Sequence, residues 1–162
     1  MRSRTRIWSL ALVVGVLFQT GCSLPRVGPE ETTEVDGILR RVSSNEPFTG
    51  VVASMHPDSE RVRSEVRYEN GVKHGRAVEY DEDGRRIIEE TFRRGIREGE
   101  RLEWWPSGEL RRRQRFEQEI LHGLLEEWNE EGLLVLKQMM QRGERHGRVV
   151  TWHANGKIAS DA

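Results

Sequence analysis

The 162-residue sequence is short of cysteine, of apolar side chains and of excess positive charge, and each shortage excludes a class of protein. Its one cysteine, Cys22, excludes an intrachain disulfide. Hydrophobic residues make up 35% and charged residues 33%, a balance that argues against a thick two-layer core. The formal net charge is −1 and the charges are interspersed. The chain therefore lacks the basic footprint of a nucleic-acid-binding protein, and we expect no nucleic-acid partner.

Residues 1–21 have the features of a signal peptide. Arg2, Arg4 and Arg6 form a positive segment, and residues 7–18 form an apolar segment of about twelve residues. Spanning a bilayer takes about 20 apolar residues, so this segment is too short for a transmembrane helix. Residues 1–21 are therefore predicted to be an export signal.

The end of this segment, Thr20-Gly21-Cys22, resembles the lipobox of bacterial lipoproteins, although Gln19 stands where that pattern prefers leucine. The resemblance implies a lipoprotein-type signal peptide and a membrane anchor on Cys22, where two lipid groups hold a protein stably and a single chain does not. Ser23 follows the cysteine, which by resemblance to the sorting rule of Gram-negative envelopes favours the outer membrane, facing the periplasm. The alternatives are an ordinary cleaved signal peptide, or an uncleaved anchor, with an incidental cysteine.

Residues 22–35 are predicted to be the lipidated N-terminus followed by a flexible tether. Pro25, Gly28 and Pro29 interrupt a polar, acidic stretch that has neither helical nor strand periodicity. A random coil of this length reaches roughly 15–20 Å, which would hold a domain off the membrane surface.

From residue 36 onward the sequence repeats itself, and one repeat is about 24 residues long. Two glycine columns and two largely aromatic columns keep this period, and Glu119 interrupts a third glycine column. The columns are Gly75, Gly99, Gly123 and Gly147; Gly84, Gly108, Gly132 and Gly156; Tyr80, Trp104, Trp128 and Trp152; Tyr68, Phe92, Phe116 and Met140; and Gly71, Gly95 and Gly143. Five columns in phase indicate one repeat domain over residues 36–162, with units at about 36–75, 76–99, 100–123, 124–147 and 148–162.

Each unit is predicted to be a two-strand hairpin. Apolar and polar side chains alternate with a period of two, which is typical of half-buried antiparallel strands. The stretches DEDG, WPSG, NEEG and HANG each end in glycine, which suits a type I turn followed by a left-handed residue. The second loop of each unit, such as residues 95–99, is expected to use two glycines. The predicted fold class is therefore all-β, an elongated single-layer antiparallel meander.

The alternation also predicts which side chains share a face of the sheet. Leu110 and Phe116 are expected beside Leu102 and Trp104 on an apolar face, with the arginines of the same strand opposite. The column of Tyr80, Trp104, Trp128 and Trp152 is expected to form one continuous row. A helix over residues 108–123 is the alternative, because this stretch is rich in helix formers, but the phase of the repeat favours a strand.

These columns resemble the MORN repeat, in the bacterial variant found in small exported proteins and in antitoxins of toxin–antitoxin systems. One unit carries the resemblance in Tyr80, Gly84, Phe92, Gly95 and Gly99, with most of their equivalents in the following units. It covers about residues 36–160 and implies an elongated sheet that binds proteins or lipid head groups. An antitoxin acts in the cytosol, which fits poorly with an export signal.

The sequence offers no catalytic, cofactor or small-molecule site. His74, His122 and His146 share one column, but equivalent positions lie about 9–10 Å apart in such a sheet. One Zn²⁺ cannot bridge that spacing, because its bonds to nitrogen are about 2.0–2.1 Å long. Adjacent carboxylates such as Glu89 and Glu90 point to opposite faces of a strand. We therefore expect a non-enzymatic protein without a metal or cofactor.

The candidate binding surface consists of Trp105, Arg111, Arg113 and Arg115. Trp105 is expected either to anchor a partner from an exposed position or to cover arginine stems on its own sheet. The first functional hypothesis is an interaction module that binds another envelope protein. The second is direct binding of lipid head groups, or a membrane-associated scaffold, through the three arginines. An antitoxin-like or immunity-like binding protein is a further alternative.

Overall fold

A computed structural model describes residues 23–162. The predicted signal peptide and the predicted lipidation site, Cys22, lie outside the described residues. Apart from one 3₁₀ turn at Pro29–Glu31, the described residues contain no helix. None of them therefore forms a helix that could cross a membrane.

Fourteen strands make up the described part of the chain. They are β1 (Arg26–Val27), β2 (Thr32–Val35), β3 (Ile38–Arg41), β4 (Gly50–Met55), β5 (Val62–Glu69), β6 (Val72–Tyr80), β7 (Arg86–Arg93), β8 (Ile96–Trp104), β9 (Leu110–Glu117), β10 (Ile120–Leu121), β11 (Gly123–Trp128), β12 (Leu134–Gln141), β13 (Glu144–Trp152) and β14 (Ile158–Asp161). Twelve form one sheet in the order β1-β4-β5-β6-β7-β8-β9-β11-β12-β13-β14, with β10 beside β9, while β2 and β3 form a separate hairpin. All neighbours are antiparallel except β1 and β4. The predicted all-β meander is confirmed, and residues 108–123 contain strands β9 and β10 and the first residue of β11, with no helix.

Two kinds of turn alternate along the meander. In the first kind, the Gly84 N–H donates to the carbonyl oxygen of Asp81 at 3.0 Å, and Gly84 has a φ of +81°. Gly108, Gly132 and Gly156 make the same bond at 2.9, 3.0 and 2.9 Å, so the predicted type I turn closed by a left-handed glycine is confirmed. In the second kind, both central residues have positive φ, as a type I′ turn requires; Arg94 and Gly95 have φ of +52° and +84°.

For the glycine column that contains Gly99, the position predicted from the sequence is wrong. Gly99 was expected in the second loop, but the turn is completed at Gly95 and Gly99 lies inside β8. There the register with β7 shifts between Glu90 and Phe92, so Gly99 sits in a β-bulge with a φ of +106°. Gly75 and Gly147 take the same place in β6 and β13, with positive φ in each case.

The strand register separates the two aromatic columns onto opposite faces. Leu102 lies directly opposite Arg113, and Phe116 lies directly opposite Gly99. Side chains of directly opposed residues share a face, so Trp104, two positions from Leu102, shares its face with Arg113. Val78, Glu126 and Val150 lie on this face as well. Tyr80, Trp128 and Trp152 each stand two positions further along the same strands, so their rings also lie on it. We call it the ridge face, after its row of Tyr80, Trp104, Trp128 and Trp152.

The other face carries Tyr68, Phe92, Phe116 and Met140, and we call it the phenylalanine face. The single row of Tyr80 and the three tryptophans is thus confirmed, whereas the expectation that Phe116 shares a face with Trp104 is wrong. The reason is a bulge, since Trp104 pairs with Leu110 but Glu103 pairs with Arg112. The extra residue in β9 places Leu110 and Phe116 on opposite faces and puts Arg113 and Arg115 on the ridge face.

The N-terminal segment forms a structured cap, not a flexible tether. From Arg26 onward the prediction for residues 22–35 is wrong, because β1 pairs with β4 and Val27 is 7% exposed. The β2–β3 hairpin follows, and Phe48 behind it is fully buried. Its N–H donates to the carbonyl oxygen of Leu39, and the N–H of Leu39 donates to the carbonyl oxygen of Gly71. This segment therefore covers the first edge of the sheet.

The apolar core is small, as the composition indicates. The buried hydrophobic residues are Val27, Phe48, Ala53, Val78, Phe92, Leu125 and Met140. Full burial of a large apolar side chain contributes about 1.5–3 kcal/mol. Because few side chains reach that state, cross-strand hydrogen bonds and side-chain pairs carry much of the stability.

Candidate binding surface

The ridge face presents a row of half-buried rings, one at the end of each repeat's first strand. Successive rings lie two strands apart, which corresponds to about 9–10 Å. The guanidinium of Arg86 lies 4.6 Å from the ring centre of Trp104, and the Tyr80 hydroxyl donates a 3.2 Å hydrogen bond to Glu65. The row is therefore an apolar strip edged by fixed charges.

Ion pairs join neighbouring strands beside this row. Arg76 contacts Glu89 at 2.8 Å, and Lys137 contacts Glu126 at 3.0 Å. Arg113, one of the predicted binding residues, lies 3.7 Å from Glu126 and 3.9 Å from Glu100. It bridges three strands of its own sheet, with its side chain 45% exposed.

Trp105 is tied to the sheet and is not free. Its indole N–H donates a 3.0 Å hydrogen bond to the carbonyl oxygen of Trp128, and the guanidinium of Arg111 lies 4.6 Å from its ring centre. This geometry is that of the second interpretation, in which the indole covers arginine stems. In the neighbouring units Asp81 and Asn129 hold the equivalent turn position and accept hydrogen bonds within their own turns. Trp105 instead links two successive units.

Arg115 lies two residues from Arg113 in β9 and lines a groove of about 1040 Å³. The groove crosses the type I′ turn end of strands β6 to β10, where Gly75 and Gly99 form part of its lining. A Cβ atom on Gly123 would come within 3.2 Å of the Arg115 side chain, so this glycine gives the arginine its place. The structure therefore does not bring the four predicted residues into one site. Arg111 stacks on Trp105, Arg113 pairs with glutamates of two neighbouring strands, and Arg115 lines the groove.

Sequence reasoning missed an exposed apolar pair on the ridge face. Leu124 lies directly opposite Met139, and the two residues are 38% and 41% exposed. The signal was present in the columns, because Leu124 stands where other units have Arg76, Glu100 and Arg148. One unit has thus replaced a charged position by an apolar one while leaving it open to solvent.

The phenylalanine face is closed by its own charges. Arg97 lies over the rings of Phe116 and Phe92, at 5.0 and 6.0 Å from their centres. A ladder of ion pairs continues across four strands, from Glu90 through Arg101, Glu103 and Arg112 to Glu127. These charges are one-tenth to one-third exposed. The charged groups of this ladder are therefore paired with one another.

The two tyrosine hydroxyls and both members of the Arg148–Asp161 pair have shifted pKa values. Burial, and secondarily the charge of Glu34, raises the pKa of Tyr68. Burial followed by the charge of Glu65 raises the pKa of Tyr80. A hydrogen bond from the Arg148 side chain lowers the pKa of Asp161. The same bond joins β14 to β13.

The histidines of the His74 column serve as polar neighbours of the turns. His74 lies 3.4 Å from Glu69, and His122 lies 4.0 Å from Glu117. Within residues 23–162, no three His, Cys, Asp or Glu side chains come together in an arrangement that could hold a metal ion.

Comparison with known proteins gives one family. No curated protein matches the chain. The family model described as the MORN repeat variant matches residues 97–118 and 145–162. The two matches begin two repeat periods apart, and each covers most of a hairpin of the meander. These two matches identify MORN repeats of the variant type in the chain and support its assignment to the MORN repeat family.

Proposed function

We propose that this chain is an exported bacterial lipoprotein, anchored through Cys22 in the outer membrane and facing the periplasm. MORN repeats form a repeat-based binding module, and here the repeat sheet binds another envelope protein and catalyses no reaction. The support for export and anchoring is the sequence of residues 1–22 alone.

The observation that carries the binding proposal is the exposed Leu124–Met139 pair, which lies on the same face as the row of Tyr80 and the three tryptophans. Exposed apolar side chains on a face that also carries large aromatic rings are typical of protein interfaces. Apart from the β2–β3 hairpin, the strands described within residues 23–162 belong to one sheet. A partner would bury these side chains. Each Å² of apolar surface removed from water contributes about 25 cal/mol to the free energy of binding.

The binding experiment is crosslinking in cells that produce the full chain, followed by capture and identification of the crosslinked protein. The test variant is Leu124→Asp, which places a charge in the patch without changing a buried residue. The matched control is Val42→Asp, because Val42 is 60% exposed and precedes β4, away from the ridge face. We expect the same crosslinked protein from wild type and from the control, and its loss from the Leu124 variant. Capture of no specific protein by the wild type contradicts the proposal.

Anchoring is tested by metabolic labelling with a radiolabelled fatty acid. Wild type should incorporate label, and Cys22→Ser should not. Incorporation into neither protein contradicts the lipoprotein assignment and leaves binding by the sheet unaffected. Fractionation of the envelope then separates outer from inner membrane.

The exposed Arg115 and the partly exposed Arg113 favour binding to lipid head groups as the second candidate function. Flotation of full-length Cys22→Ser protein with vesicles of anionic phosphatidylglycerol distinguishes the two. Salt-sensitive flotation that is lost when Arg111, Arg113 and Arg115 are replaced by glutamine favours lipid. Its absence favours a protein partner.

A further inference from the structure

The groove at the type I′ turn end is lined by both backbone and charged side chains. Gly75 and Gly99, where bulges interrupt the ladder between strands, are part of its lining. Residues left unpaired by a bulge present N–H and C=O groups that a ligand backbone can use. Its walls carry charged side chains of β7 and β9 and of the turn after β12.

The charge of these walls is not balanced. Arg93 pairs with Glu98 at 3.1 Å, and His122 lies near Glu117. Arg115 and Arg142 form no ion pair with the described residues. The turns at the opposite end of the strands carry acidic runs, Asp81-Glu82-Asp83 and Glu130-Glu131. Two unpaired guanidinium groups therefore face the groove on one side of an otherwise acidic chain.

The groove has the length of a short extended peptide. It crosses the strands from β6 to β10, four steps of about 4.8 Å or roughly 20 Å in all. An extended chain rises about 3.3 Å per residue, so about six or seven residues span this distance, and every third residue meets equivalent positions of successive repeats. Guanidinium groups bind carboxylates through paired hydrogen bonds.

We propose that this groove binds an acidic, extended segment of a partner protein, whose carboxylates contact Arg115 and Arg142. This inference rests on the proposed function, since it names the part of the envelope partner that is recognised. A membrane surface fits the groove less well. Beyond residue 21 the chain has 23 basic and 27 acidic residues, a net charge of −4, so its attraction to an anionic bilayer is weak.

The test uses the full chain in micelles of an uncharged detergent and a fluorescent peptide of about eleven residues, long enough to exceed the groove. The peptide has glutamate at every third position, with serine and glycine between. A second peptide has lysine at the same positions. We expect fluorescence anisotropy to show saturable binding of the glutamate peptide that weakens as salt is added, and no binding of the lysine peptide.

The test variant is Arg115→Glu combined with Arg142→Glu, which should weaken binding by about tenfold or more. The matched control is Arg63→Glu, an exposed arginine of β5 far from the groove, which should bind as wild type does. The pair Arg115→Lys and Arg142→Lys should restore part of the affinity, which separates loss of charge from loss of fold. Unchanged binding by the double glutamate variant overturns the proposal.

Two further outcomes separate this inference from the proposed function. If wild type and the double glutamate variant crosslink the same envelope protein equally in cells, the groove assignment fails and the interaction module stands. If flotation on phosphatidylglycerol vesicles depends on Arg115 and Arg142 while the peptide does not bind, the groove is a lipid site and the peptide assignment is wrong.

Discussion

The indole N–H of Trp105 donates a hydrogen bond to the carbonyl oxygen of Trp128, in the next repeat along the sequence and 3.0 Å away. A similar bond occurs near the start of the array, where His56 lies 3.0 Å from the carbonyl oxygen of Tyr80. In both cases a side chain from one hairpin is fixed to the strand end of the next. Such contacts between neighbouring units decide how cooperatively a repeat protein unfolds.

Replacing Trp105 should therefore weaken the junction between units. Trp105→Phe keeps a ring under Arg111 but removes the N–H, and we expect the free energy of unfolding in urea to fall by about 1 kcal/mol. Trp105→Asn restores the local turn bond seen at Asn129 but removes the link, with an expected loss of about 1–2 kcal/mol. If the asparagine variant is as stable as wild type, the link contributes nothing.

Glu119 stands in a glycine column, and its side chain makes a hydrogen bond that offsets the strain of its left-handed backbone. It has a φ of +67°, and its carboxylate accepts a hydrogen bond from the backbone N–H of Arg97. We expect Glu119→Ala to destabilise the protein by about 1–2 kcal/mol, because the strain stays while the bond is lost. Glu119→Gly loses the same bond but removes the strain, so it should be about 1 kcal/mol more stable than the alanine variant. Equal stabilities of the two variants, measured by urea unfolding, would contradict this.

The sequence predicted the hairpins because their signals are local. The turn ending in Gly84 and the phase of Trp104 with Trp128 each depend on a few neighbouring residues. The faces of the second strands depend instead on register, and the bulge opposite Trp104 inverts the parity that alternation assumes. A sequence that reads EWWPSGELRRR contains no mark for that extra residue.

The N-terminal cap was missed for a different reason. Strand β1 is only Arg26–Val27, and Val27 gains its place by pairing in parallel with Val52, a partner from a distant part of the sequence. So short a strand cannot show a period, and the prolines and acidic residues of that stretch dominated the prediction. For the binding surface, the arginines were found as a pattern, but which of them is free could not be predicted. That depends on Glu100 and Glu126 across the strand boundaries.

The two tyrosines of the chain give a direct test of the fold in alkaline solution. The pKa values of Tyr68 and Tyr80 both lie above the ordinary 10.0, through burial and nearby carboxylates. A raised folded-state pKa contributes stability that is fully present below about pH 10 and is lost as the pH rises through the folded value. Absorbance at the tyrosinate band should therefore show ionisation above about pH 10 in the native protein and near pH 10 in urea.

A matched pair of variants assigns the effect to one residue. Tyr68→Phe leaves Tyr80 as the only tyrosine, and Glu65→Gln in that background removes the charge beside it. We expect the midpoint of the absorbance change to move down in the double variant. The same midpoint with and without Glu65 would contradict the contact between the Tyr80 hydroxyl and this carboxylate.

Glu103 lies between two arginines in the ladder of the phenylalanine face, with its side chain 12% exposed. Glu103→Gln should lower the free energy of unfolding by about 1–2 kcal/mol. The substitution removes the negative charge that pairs with both Arg101 and Arg112, and these guanidinium groups are only partly exposed to water. The control is Asp83→Asn, since the pair of Asp83 with Arg61 is 63% and 60% exposed. An exposed pair contributes about 0–1 kcal/mol and is screened by salt.

Urea unfolding at low and high sodium chloride concentrations separates the two cases. We expect the loss caused by Glu103→Gln to persist at high salt, and the loss caused by Asp83→Asn to vanish there. A cycle with Arg112→Gln then measures the coupling between Glu103 and Arg112, expected to be about 1 kcal/mol. Zero coupling would mean that the ladder orders side chains without stabilising the sheet. The stability of this face would then come from the rings of Phe92 and Phe116 and from the backbone hydrogen bonds between strands.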